Sequence, residues 1–162
     1  MVFVVSVLVF AYAWLTNPNH PHQGSSGYLN WSDQGSYLRE ARELAAGQFP
    51  SRKTYVYGIG YPIVAVPAIL VGDLRDPFVP FNALVFAATM VMVSVLGTRM
   101  RSLAFGVACS ALLLFATPLL DVTVVPWSST ITLLVVSGVL VLATFASRRP
   151  VLVALAVGVG AG

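Results

Sequence analysis

Charged residues are scarce in this chain: Asp, Glu, Lys and Arg make up 9% of its 162 residues, and hydrophobic residues make up 57%. A soluble domain carries about a quarter charged residues, so this scarcity excludes an ordinary water-facing surface and predicts a chain embedded in a lipid bilayer. The net charge of +3 is small, and the basic residues fall in short clusters between apolar runs. We therefore expect no nucleic-acid partner.

Cysteine is almost absent. The single residue, Cys109, lies inside an apolar run, so neither a disulfide framework nor a cysteine metal site is available. Its simplest interpretation is a small buried hydrophobic residue. The sequence indicates no cofactor. A divalent metal is possible, but it is not indicated, because no cluster of ligands is evident.

Apolar runs predict an all-α fold, a multi-pass bundle of transmembrane helices. Each of the three interior runs is long enough to cross a hydrocarbon core of about 30 Å. We expect the chain to be a single, partial transmembrane domain, with its last span truncated. The predicted spans are residues 1–16, 77–98, 102–120, 127–146 and 151–162.

The one long polar stretch, residues 17–76, is predicted to be an external loop that carries amphipathic juxtamembrane helices. A helical period appears over residues 33–46. Its charged face contains Glu40 and is expected to face water, while its apolar face is expected to lie on the outer leaflet. The apolar face consists of Tyr37, Leu38, Ala41, Leu44 and Ala45.

Residues 58–72 are apolar but short, and they contain helix-interrupting glycine and proline. Short loops rich in arginine stay cytoplasmic. We take the N-terminus to lie inside. Both arginine pairs then lie inside only if residues 58–72 do not cross the membrane; the pairs are Arg99 with Arg101 and Arg148 with Arg149. This segment is therefore predicted to be re-entrant or interfacial.

A motif follows the first apolar run. The pattern Asp-x-x-x-Tyr-Leu-x-x-Ala-x-x-Leu-Ala-x-Gly occupies residues 33–47 and is followed by Gly60-Tyr61-Pro62 and an apolar stretch that ends at Gly72. It resembles the first external loop of the C-superfamily (GT-C) integral-membrane glycosyltransferases, which include protein O-mannosyltransferases and aminoarabinose transferases. The resemblance covers the chain as the N-terminal portion of such a protein.

The resemblance implies inverting transfer of a sugar from a polyprenyl- or dolichyl-phosphate donor to a lipid, glycan or protein acceptor. In the family the loop acid is the general base, which here is Asp33. A carboxylate in that position removes the proton of an acceptor hydroxyl as the bond to the phosphate breaks. The expected location is the cytoplasmic (inner) membrane, with the active site facing outside, towards the periplasm.

A structural interpretation of Asp33 stands beside the catalytic one. Asp is among the best N-cap residues, and this one precedes a helical pattern. Ser32 caps equally well, which would free Asp33 for another role. The two roles are compatible, because the start of a helix favours a carboxylate in its charged form.

Five further residues are weaker candidates. Arg52 and Lys53 are candidates to contact the donor phosphate, and Tyr57 and Tyr61 to contact the sugar or the prenyl chain. All four also fit ordinary contacts with lipid headgroups at the interface. Asp121 is predicted to lie in the external turn between the third and fourth spans, either as a second acid that assists Asp33 or as a simple turn residue.

Two other classes of function remain. A multi-pass transporter or a lipid flippase component would use the broken segment 58–72 as part of a pathway. Such proteins usually hold ionisable residues within their spans, and these spans have almost none. A noncatalytic membrane scaffold would leave the acidic loop unexplained.

Overall fold

The structure of the chain, a computed structural model, describes residues 1–17, 32–49, 60–72, 76–125 and 128–145. Within these ranges all regular secondary structure is helical, which confirms the all-α prediction for the described part of the chain. A short 3-10 helix, Pro62–Ala65, leads directly into α3. The α-helices are α1 (Val2–Thr16), α2 (Ser32–Ala45), α3 (Val66–Val71), α4 (Val79–Met100), α5 (Leu103–Leu114), α6 (Thr117–Val124) and α7 (Ser129–Thr144).

The longest helix, α4, has 22 residues and is the one described helix that is both long and apolar enough to cross a membrane. At 1.5 Å per residue, 22 residues extend about 33 Å, slightly more than a hydrocarbon core. The other apolar helices among the described residues have at most 17 residues. Length and composition therefore support membrane association through α4.

Helices α4 and α7 run parallel. A Cβ built on Gly138 of α7 lies 3.6 Å from the sulfur of Met92 on α4. Seven residues further along both helices, the guanidinium of Arg99 lies 4.5 Å from the centre of the Phe145 ring, which directly follows α7. Because the contacts advance together along both helices, α4 and α7 end at the same level.

Helix α5 runs antiparallel to α4. Near the end of α4, a Cβ on Gly97 would lie 2.7 Å from the Cα of Gly106, close to the start of α5. Leu114, at the end of α5, joins a core cluster with Met90, which lies two turns earlier on α4. The two helices therefore form a hairpin whose backbones approach closely where both residues are glycine.

Helix α1 is also antiparallel to α4. Its Phe10 ring lies 5.9 Å from the ring of Phe86 on α4. The first turns of α1 share a cavity of about 100 Å³ with α5, so they lie at the level of the second half of α4. The residues that line this cavity are Met1, Val2, Val5, Ser6, Val107, Ser110, Ala111 and Leu114.

These directions define two ends of the bundle. At the loop end, α1 finishes at Thr16 while α4 and α7 begin at Val79 and Ser129. At the arginine end, Arg99 and Phe145 lie together where α4 and α7 finish.

Helix α2 packs on the 3-10 helix and on α3. Its residues Tyr37 and Ala41 are buried in a cluster with Tyr61, Ala65 and Phe78. The apolar face predicted to lie on the leaflet therefore packs, at these two positions, against the protein's own residues Tyr61, Ala65 and Phe78. The aromatic side chains bury apolar surface against one another there, and this burial is favourable.

One predicted segment is divided. Residues 102–120 read as a single apolar run, but α5 ends at Leu114 and a separate helix, α6, begins at Thr117. Pro118 occupies the first turn of α6. A helix tolerates proline in its first turn but not in its interior. Asp121 consequently lies within a helix, where the sequence predicted a turn.

Candidate active site

Asp33 lies in the first turn of α2, as the second residue of the helix. Its side chain is partly buried. Because the helix already includes Ser32, Asp33 stands inside the helix and not at its cap. The partial positive charge at the start of a helix favours a carboxylate in this first turn.

Asp33 shares one face of α2 with two buried residues. Tyr37 and Glu40 follow it at positions i+4 and i+7, so the three side chains are neighbours along the helix. Tyr37 is 2% exposed and Glu40 is fully buried. The prediction that Glu40 faces water is wrong, because its side chain is fully buried.

Gln34, the next residue along the chain from Asp33, is also buried. Sequence reasoning missed both Gln34 and Glu40. The helical period places Gln34 on the apolar face, one turn before Tyr37 and Leu38, and places Glu40 next to that face on the charged side. Only the neighbouring elements decide whether such positions are covered. Two buried polar side chains of α2 therefore lie close in sequence to the proposed base.

An aromatic cluster holds α2 in place. The rings of Tyr37 and Tyr61 meet edge to face, with centroids 5.1 Å apart. On its other side Tyr61 stacks on Phe78, with centroids 4.9 Å apart and an angle of 17° between the planes. Such ring pairs add stability beyond the area that they bury, so the cluster ties α2 to the start of α4.

A hydrogen-bonded chain continues from the cluster into the bundle. The Tyr61 hydroxyl donates to Oδ1 of Asn82 at 3.0 Å. The Asn82 amide nitrogen lies 3.5 Å from the Val125 carbonyl oxygen, to which it donates. Asn82 thus links three elements, namely the 3-10 segment, α4 and the connection that leads to α7.

Two further polar contacts define the loop end. The Asp76 carboxylate accepts a 3.2 Å hydrogen bond from the Phe78 backbone N–H, a turn that fixes the approach to α4. The Tyr37 hydroxyl donates a long hydrogen bond of 3.5 Å to Ser128 Oγ, at the start of α7. The face of α2 that carries Asp33 is therefore held against the starts of both α4 and α7.

The structure describes only some of the other predicted site residues. Arg52, Lys53 and Tyr57 lie outside the described residues. The structure describes the backbone of Asp121 in α6 but not its side chain. Tyr61 is 4% exposed and its hydroxyl is bonded to Asn82; its contact with a donor stays a prediction, which would require the ring to become accessible.

No group of three or more His, Cys, Asp or Glu side chains that could hold a metal ion occurs among the described residues. Metal dependence therefore stays as open as the sequence left it.

An apolar groove of about 550 Å³ opens beside this site, between α3 and the first half of α4. Three prolines shape its walls, and the exposed residues Val71 and Leu84 lie at its surface. Its lining consists of Val64, Pro67, Ala68, Val71, Gly72, Pro77, Pro80, Phe81 and Leu84.

Comparison with protein-family models, with curated proteins and with solved structures finds no match. No family is assigned. The resemblance to C-superfamily glycosyltransferases rests on the sequence motif alone.

Proposed function

We propose that the chain is a multi-pass membrane protein, with its loop end outside and its arginine end in the cytoplasm. Support comes from the apolar helices α1, α5 and α7, which pack along α4 in alternating directions. Arg99 lies at the end where both α4 and α7 finish, and arginine-rich ends stay cytoplasmic. Helix α1 finishes and α4 begins at the loop end. This supports the proposal that residues 58–72 do not cross the membrane.

Within that arrangement we infer a glycosyltransferase that uses a polyprenyl- or dolichyl-phosphate sugar. The observation that carries this proposal is the position of Asp33: one turn before buried Tyr37, on a helix anchored to the starts of α4 and α7. A carboxylate on a rigid, surface-lying helix can meet both a membrane-bound donor and an acceptor that approaches from outside. Preorganisation of this kind is what a general base requires.

The proposed reaction inverts the anomeric carbon. The acceptor hydroxyl oxygen attacks C1 of the sugar while the C1–O bond to the lipid phosphate breaks, and the phosphate leaves with the bonding electrons. The Asp33 carboxylate accepts the hydroxyl proton as the new bond forms. Because a phosphate is a good leaving group, no strong acid is needed on the donor side.

The apolar groove between α3 and α4 supports the proposal that the donor is linked to a lipid. It opens next to Tyr61 and Phe78, and its apolar lining suits a prenyl chain better than a polar substrate. Arg52, Lys53 and Tyr57 are proposed to contact the donor's phosphate or sugar. Asp121 is proposed as a helper acid, and Tyr61 is proposed to act chiefly by positioning α2.

The decisive experiment replaces Asp33 with Asn in the full-length protein and measures sugar transfer from a radiolabelled polyprenyl-phosphate sugar in membranes. Loss of a general base lowers the rate by about 10²- to 10⁴-fold. Glu43→Gln is the matched control, because it removes a carboxylate from the same helix outside the buried face and is expected to keep activity. Transfer by Asp33→Asn at the parental rate would refute the role of Asp33, and a parent protein without transfer would favour a transporter or flippase component.

A further inference from the structure

Two arginines at the arginine end place their guanidinium groups over aromatic rings. The guanidinium carbon of Arg99 lies 4.5 Å from the centre of the Phe145 ring, and that of Arg101 lies 5.9 Å from the centre of the Phe105 ring. The rings come from the ends of different helices, so each cation is held at a defined place on the surface. Both arginine side chains are exposed.

A guanidinium that is attracted to an aromatic ring still has hydrogen-bond donors available for an anion, because the ring carries no carboxylate or carbonyl acceptor. The five N–H donors of arginine lie in the plane of the group, in a fork that matches two oxygens of a phosphate.

The distribution of charge favours an anionic partner here. All six acidic residues of the chain lie at positions 33, 40, 43, 73, 76 and 121, so neither α4 nor α5 contains one. Because α5 returns to the loop end before α6 begins, Asp121 is also remote from the arginine end. The positive potential of this surface is thus not cancelled by carboxylates on the helices that carry it.

Exposed apolar side chains adjoin the two cations. Met100, which lies between them, is 71% exposed, and Leu103 is 68% exposed. This combination is typical of a membrane–water boundary, where apolar side chains enter the acyl region and long basic side chains extend to the water. A soluble anion would gain nothing from these apolar neighbours, whereas a phospholipid contacts both parts.

We propose that the arginine end is a binding surface for anionic phospholipid headgroups, formed by Arg99 and Arg101 on their aromatic supports. The proposal goes beyond sugar transfer and depends only on the placement of the bundle in a bilayer. Bound anionic lipid would stabilise the junction of α4, α5 and α7, because these elements carry the two cations and their rings.

The test measures thermal unfolding of the purified full chain in detergent micelles during titration with phosphatidylglycerol or with phosphatidylcholine. Preferential binding raises the Tm with phosphatidylglycerol concentration, and the dependence gives an apparent affinity. In the double variant Arg99→Gln/Arg101→Gln we expect this affinity to fall about 30-fold, equivalent to about 2 kcal/mol for two basic residues. Raising the ionic strength is expected to weaken the wild-type response.

The matched control is Arg39→Gln/Arg42→Gln, which removes two exposed arginines from α2 at the loop end and changes the net charge equally. It is expected to retain most of the preference for phosphatidylglycerol. If the double variant at the arginine end does not fold, Arg101→Gln alone is expected to lose about fivefold. Equal stabilisation of the wild type by both lipids, or equal losses in both double variants, would overturn the proposal.

Discussion

The Tyr61 hydroxyl donates a 3.0 Å hydrogen bond to Oδ1 of Asn82, and this bond joins the start of the 3-10 helix to the first turn of the long apolar helix α4. Both side chains are buried, so water does not compete for the bond. Through the edge-to-face contact of Tyr61 with Tyr37, the same bond fixes the helix that carries Asp33. The position of the proposed base therefore depends on a polar contact outside α2.

Breaking this bond is predicted to destabilise the protein while leaving the aromatic cluster in place. Tyr61→Phe removes only the hydroxyl and leaves the Asn82 amide oxygen without that donor, so we expect a loss of about 1–3 kcal/mol. A double-mutant cycle with Asn82→Ala, measured by unfolding in detergent micelles, is expected to give a coupling energy of about 0.5–1.5 kcal/mol. Tyr12→Phe, at an exposed tyrosine of α1, is the control and is expected to change stability by less than about 0.5 kcal/mol. Additive effects of Tyr61→Phe and Asn82→Ala would contradict the link.

The hairpin of α4 and α5 is predicted to reject any side chain at Gly106. A Cβ at this position would overlap the Ser94 carbonyl oxygen and the Thr98 hydroxyl of α4. Since the Ser94 atom belongs to the backbone, the helices must separate, and we expect Gly106→Ala to cost about 1–3 kcal/mol or more. Thermal unfolding measures the loss.

Gly138→Ala is the matched control for this prediction. Its new Cβ would lie at ordinary contact distance, 3.6 Å from the Met92 sulfur. Because alanine is the better helix former, this variant is expected to be neutral or more stable by up to about 1 kcal/mol. A stability of Gly106→Ala equal to that of Gly138→Ala would show that the close approach of α4 and α5 is not required.

The topology predicts opposite accessibility for the two ends of the bundle. In a Cys109→Ala background, Arg42→Cys on α2 and Arg101→Cys at the arginine end each place one thiol at an exposed position. We expect a membrane-impermeant maleimide to label the first in intact spheroplasts and the second only after permeabilisation. Labelling of both before permeabilisation would mean that residues 58–72 cross the membrane. Labelling of the arginine-end thiol alone would mean that the arginine end faces outside.

The local pattern of the chain was sufficient for some elements. The helical period over residues 33–46 corresponds to α2, Ser32–Ala45. The apolar run after Asp76 corresponds to α4, Val79–Met100. In both cases the signal is long and periodic, and neighbouring residues along the chain suffice to generate it.

The division of residues 102–120 into two helices was missed, although a local signal was present. Hydropathy alone joins α5 to α6, because the residues on both sides of the break are apolar. Pro118 marks the start of α6, and proline within an otherwise helical run ends or begins a helix.

The sequence by itself determined that the protein is helical, apolar and poor in charge, and it singled out Asp33 as the acid at the head of an amphipathic helix. Tertiary structure decided which face of that helix is covered, and so buried Glu40 and Gln34 beside the proposed base. It also brought Tyr61, Asn82 and Val125 together from three separate elements. The physical reason is that composition and periodicity report on contacts between near neighbours, whereas burial of a polar side chain on a helix depends on residues far away in the chain.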